Sequence, residues 1–104
     1  MQARDLQIDK RALGDVCETH QVARLELFGS FASGEAEPGS HVDILVTFKP
    51  DARIGLEFVA LKQDIERLIG RPVDLLARRS VEQSPSKYFR HYALRDTDLL
   101  YERS

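Results

Sequence analysis

The sequence contains no tryptophan, a single cysteine and a single methionine. No apolar run approaches the roughly 18–20 residues that a membrane span requires. With only Cys17, an internal disulfide and a cysteine-based zinc site are both excluded, which points to a cytoplasmic protein. The opening residues MQARDLQIDKRA lack the apolar centre of a signal peptide. Charge of one sign is missing too. Fifteen Lys and Arg face seventeen Asp and Glu, for a net charge of −2, so bulk electrostatics give no support to a nucleic-acid partner. There is no low-complexity tract, internal repeat or linker. At 104 residues the chain is expected to form one domain, residues 1–104, with one core.

Apolar residues recur at three- and four-residue spacing from Ile8 to His20 (Ile8, Ala12, Leu13, Val16, Cys17), which predicts an amphipathic helix. VARLELF, Val22 to Phe28, alternates and predicts a strand. Gly29 to Ser40 is turn-rich, with room for a short helical turn after Ser30. VDILVTF, Val42 to Phe48, is more continuously apolar and predicts a central strand. Gly55 to Ile69 carries Phe58, Leu61, Ile65, Leu68 and Ile69 on one stripe, and Gly70 with Pro72 ends that helix. PVDLLA, Pro72 to Ala77, predicts a third strand. RRSVEQSP reads as a loop. Ser84-Pro85 is expected to cap a last helix running to about Leu94. The tail DLLYE is left open between a short strand and a disordered end. The order is that of a small α/β or α+β unit, a mixed sheet flanked by helices.

Two carboxylates stand inside apolar strands, Asp43 and Asp74. Side chains alternate along a strand, so His41 and Asp43 share a face while Val42, Ile44 and Val46 point into the core. If the two strands are neighbours, the acids converge. Two uncompensated carboxylates raise each other's proton affinity, and a divalent cation with a preference for oxygen, such as Mg²⁺, relieves that cost. The Gly29-Ser30 turn supplies the complement, because glycine lets a phosphate approach the backbone and amides at a helix start can hold it. Acids for metal beside a turn for phosphate outline metal-assisted phosphoryl or nucleotidyl transfer. Each feature has a plain structural reading: Asp before an apolar run caps strand ends, and Gly-Ser is a common turn. Their agreement in order and spacing favours the chemical one.

The stretch GSFASGEAEPGSHVDILV, Gly29 to Val46, resembles the signature of the polymerase-beta-type nucleotidyltransferases, in which Gly-Ser is followed after about ten residues by Asp-x-Asp. It is most similar to the minimal nucleotidyltransferases, and GLEFVALKQDIERLIGRPVDLL extends the resemblance to Leu76. The resemblance implies that Gly29 and Ser30 contact nucleotide phosphates, and that Asp43 and Asp74 hold metal, with Asp74 helping to activate the nucleophile. It further implies Mg²⁺, with Mn²⁺ as an alternative, and ATP as the source of a transferred AMP. Larger members append a helical domain for the acceptor, and nothing of that size follows Ala77, so the acceptor is expected on another chain. The family's partners are helical HEPN-type proteins, often toxins, towards which the nucleotidyltransferase acts as antitoxin, in a homo- or hetero-oligomer.

The chain departs from that pattern at two positions. His41 stands where the first metal-binding Asp is expected, and an imidazole offers one neutral nitrogen in place of two anionic oxygens, a poor ligand for Mg²⁺ and a better one for Mn²⁺ or Zn²⁺. Ser33 replaces a common Arg. Two readings follow: an active transferase with altered metal use, or a decayed one that silences its partner by binding alone. Elsewhere, Cys17 reads as core and His20 as a cation suited to a helix C-terminus. KYFRHY, Lys87 to Tyr92, mixes basic and aromatic residues in a way that can serve nucleic acid. The simpler reading has Phe89, Tyr92 or Tyr88 packing inward.

Overall fold

In the computed structural model, residues 8–29, 41–52 and 55–103 are described. Helix α1, Lys10–Thr19, begins where the Asp9 carboxylate accepts hydrogen bonds from the amides of Arg11 and Ala12 at 2.9 and 3.2 Å, satisfying donors that a helix start leaves unpaired. Strand β1, Val22–Phe28, coincides with the alternating segment of the sequence, and strand β2, Val42–Phe48, with the more continuously apolar one. Helix α2, Leu56–Ile69, is stopped by Gly70 in the left-handed conformation, φ 75°, whose amide bonds back to Glu66 at 2.8 Å. Strand β3 follows at Val73–Ala77.

The predicted loop RRSVEQSP instead contains a short helix, α3, Arg78–Glu82. Its five residues carry one buried apolar side chain, Val81, too few to display a helical period. The last helix, α4, spans Lys87–Arg95 and is capped by Ser86, whose hydroxyl accepts from the Phe89 amide at 3.2 Å. The cap is therefore not Ser84. Its hydroxyl instead accepts from the Ser86 amide at 3.3 Å. The tail is a strand, β4, Asp98–Glu102.

The sheet order is β3-β2-β1-β4. β1 pairs antiparallel with both β2 and β4, and β2 pairs parallel with β3. This mixed sheet, with four helices among the described residues, is the expected α+β architecture. Both sheet faces are covered. Leu13 and Cys17 of α1 and Leu61 and Ile65 of α2 pack on Leu25, Leu27, Val42, Ile44, Val46, Val73 and Leu75. On the opposite face Phe28 and Leu45 meet Val81, Ala93, Phe89 and Leu94 of α3 and α4. Each fully buried Leu, Ile or Val contributes roughly 1.5–3 kcal/mol. Cys17 is part of this core as expected, and burial pushes its thiol up to about 12, away from reactivity.

Candidate active site

The parallel register of β2 and β3 sets Val42 opposite Val73, Asp43 opposite Asp74 and Ile44 opposite Leu75. The two carboxylates are therefore direct neighbours on one face, that of Leu45 and Leu76, and the carboxyl groups share a hydrogen bond. Burial in the first place, then the adjacent Asp74 charge and that hydrogen bond, pushes Asp43 up to about 6, while the nearby His41 pulls the other way. A carboxylate whose proton affinity is raised by an adjacent acid is short of positive charge.

Gly29 closes the site from the β1 side. It follows Phe28, which pairs with Asp43 across the antiparallel ladder, and its backbone is left-handed at φ 66°. A Cβ there would stand 2.5 Å from Asp43 Oδ2 and 3.1 Å from the Tyr92 hydroxyl. Both conformation and space thus demand glycine. Ser30 and the turn-rich segment 30–40 lie outside the described residues.

His41 is exposed and places Nδ1 3.3 Å from Asp74 Oδ2. It thus sits beside the pair, turned to Asp74 from the N-terminal end of β2. Among the described residues no three His, Cys, Asp or Glu side chains are grouped so as to hold a metal unaided. The donor set suits a hard cation that keeps waters and takes its other ligands from substrate phosphates, which is the usual habit of Mg²⁺. The excess negative charge of the Asp43–Asp74 pair makes the same fit.

The neighbouring acid on this face is treated differently. Glu26 of β1 is 2% exposed, and its carboxylate accepts two hydrogen bonds from Arg78 Nη1, at 2.7 and 2.9 Å. Arg24 adds a contact at 3.5 Å. Glu26 is thereby compensated within the protein, whereas Asp43 and Asp74 face each other.

The other residues singled out in the sequence fall elsewhere. His20 is buried at the far end of the sheet, between α1 and α2, with Nδ1 2.6 Å from Glu57 and Nε2 2.8 Å from Asp64. It is more than a helix-terminal cation, because it binds two helices together. In KYFRHY only Phe89 packs against the sheet. Tyr88 and Tyr92 are 90% and 55% exposed, contrary to an inward-packing role. Tyr92 was not legible as a site residue, since its approach to Gly29 is made by folding α4 across the sheet end.

A comparison with known families matches residues 9–98 to the nucleotidyltransferase domain. The chain belongs to this family, and its enzyme class is that of a transferase. The protein adenylyltransferase MntA of Thermococcus cleftensis is 37% identical over 70 residues, 67% of this chain and 70% of that one. A solved structure described as a minimal nucleotidyltransferase is 32% identical, with a TM-score of 0.64 over 85% of each chain. The same fold, at 18% identity and a TM-score of 0.58, recurs in a complex of a tri-AMPylated Shewanella oneidensis HEPN toxin with its MNT antitoxin, covering 90% of this chain and 70% of that one. Among the described residues no helix is long and apolar enough to cross a membrane.

Proposed function

We propose that this chain is a protein nucleotidyltransferase that moves AMP from ATP to a helical HEPN-type partner and so acts as its antitoxin. The observation that carries the reading is the in-register pair Asp43–Asp74 beside the Cβ-free cradle of Gly29. Asp43 and Asp74 would hold the divalent cation, Mg²⁺ or Mn²⁺. When bound, that cation neutralises the pair and draws charge from the phosphates. Gly29 leaves the backbone open to the phosphates, and Ser30 completes that contact. Asp74, more than half exposed, is the group placed to accept a proton from an incoming hydroxyl. The relative named as a protein adenylyltransferase supports a protein acceptor, and the fold shared with an MNT antitoxin supports the partner. The exposed Tyr88, Tyr92 and Leu99 supply apolar surface for a protein partner on the C-terminal part of the chain. A cytoplasmic location accords with the reduced Cys17.

One observation favours a second reading, a binding antitoxin that has lost catalysis. His41 occupies the position of an expected metal-binding Asp and engages Asp74. Transfer of label from α-labelled ATP separates the two readings, with Mg²⁺ and with Mn²⁺, for wild type, His41→Asp and Asp43→Ala, each mixed with a HEPN-type partner. Label carried to the partner by wild type and not by Asp43→Ala sustains the enzyme. Label from His41→Asp alone identifies a decayed site. Tight binding of the partner without label from any variant leaves occlusion as the mechanism.

A further inference from the structure

Helix α4 is fixed to the sheet by Phe89, Ala93 and Leu94. That packing leaves Tyr88 and Tyr92, one helical turn apart, on its uncovered side. The Tyr92 hydroxyl and Asp43 Oδ2 border the same point beside Gly29, at 3.1 and 2.5 Å from where a Cβ would stand. The two oxygens are thus closer to each other than the sum of those distances. The phenol is 55% exposed and has no hydrogen-bond partner among the described residues. Of the other tyrosines, Tyr101 packs against the core on the opposite sheet face, and Tyr88 lies a turn nearer the N-terminus of α4. Tyr92 is therefore the tyrosyl hydroxyl that the fold itself brings to the phosphate-binding glycine and the paired acids.

We infer that Tyr92 is a self-modification site, to which the chain transfers a nucleoside monophosphate from a nucleoside triphosphate. The phenolic oxygen attacks the α-phosphorus, and the new O–P bond forms as the bond from that phosphorus to the bridging oxygen of the β-phosphate breaks. Pyrophosphate leaves with the bonding electrons, and the phenol proton passes to a carboxylate of the Asp43–Asp74 pair. No further reagent is needed. The inference rests on the transfer chemistry proposed above and adds an acceptor within the chain. A nucleotide esterified to Tyr92 lies against Gly29, where the next triphosphate must approach, so the modification closes the site that made it.

The test uses the full chain with α-labelled ATP and Mn²⁺, alone and with the HEPN-type partner, followed by peptide mapping by mass spectrometry. The expected result is one nucleotide on the peptide containing Tyr92, formed at a rate independent of protein concentration. Label should fall at least tenfold in Tyr92→Phe, with a thermal melt equal to wild type, and stay unchanged in Tyr101→Phe on the opposite sheet face. A partner that is labelled while the chain stays bare overturns self-modification and leaves the transfer reading standing. Undiminished label on Tyr92→Phe overturns it as well. No label on either protein overturns both.

Discussion

Each end of the sheet sets a histidine beside acids, and the two ends use it in opposite ways. At the α1–α2 end, His20 is buried with both ring nitrogens bonded to carboxylates, Glu57 and Asp64. Burial alone would lower its proton affinity, but the hydrogen bonds to Asp64 and Glu57 and their charges prevail and raise it. At the Gly29 end, His41 is exposed with Nδ1 3.3 Å from Asp74, and burial and the Asp74 charge raise the proton affinity of Asp43. One cluster is compensated and serves stability. The other is left short of positive charge, and the proposed cation and phosphate site rests on that shortage.

The largest effect should come from removing the uncompensated acid. Asp43→Asn is expected to lower transfer to the partner by about 10²–10³-fold or more while leaving the fold intact. Its effect on stability has a definite sign. Asp43 is raised from 3.8 to about 6 in the folded protein, so the native state binds more protons and wild-type stability falls as pH climbs through that interval. Thermal melts of Asp43→Asn should therefore match or exceed wild type above pH 6, and a marked loss there would erase the contrast between the two ends. Gly29→Ala comes next. Its left-handed backbone costs about 1–2 kcal/mol, and the added methyl displaces Asp43. Transfer should drop by about 10²-fold, read from the same labelling assay together with a denaturant titration.

At the other end the signs reverse. His20→Ala leaves Glu57 and Asp64 facing each other without their shared cation and should cost about 2–3 kcal/mol, with transfer per folded molecule unchanged. Because the folded pKa of His20 lies above its ordinary 6.5, its contribution is complete below that value and is lost as pH rises through the folded pKa. The gap between wild-type and His20→Ala melts should narrow as pH climbs above 6.5, and a gap that widens would refute the bridging imidazolium. The smallest change concerns metal choice. His41→Asp gives the pair a third carboxylate and should raise Mg²⁺-supported transfer about tenfold relative to Mn²⁺. Equal response to both metals would show that His41 takes no part in metal choice.

Much of this arrangement is legible in the residues. β1 matches its alternating segment and β2 its apolar run, β3 is displaced by one residue at its start, and α2 follows its apolar stripe. Asp43 and Asp74 stand out because an acid inside an apolar strand contradicts local propensity, and Gly29 because its turn falls at a fixed spacing before the first of them. What stays hidden is what depends on long-range packing. The His20–Glu57–Asp64 bridge joins residues 37 and 44 positions apart, with no local pattern to announce it. Helix α3 is too short for periodicity, and DLLYE becomes a strand because the edge of β1 is there to pair with it. Tyr92 sits within a basic and aromatic run whose ordinary reading is core packing, and only the seating of α4 turns it towards Gly29.

The parallel pairing of β2 and β3 has a consequence for how this protein tolerates changes of length. The spacing of Asp43 and Asp74 is set by backbone ladder bonds and by the span of α2 between them, not by the side chains around the acids. Substitutions along the outer surface of α2 should leave that spacing untouched. Inserting or deleting one residue between Gly70 and Asp74 shifts β3 by a single step and turns Asp74 to the opposite face of the sheet. The segment from Leu56 to Asp74 thus works as a gauge block for the site, forgiving in composition and intolerant in length.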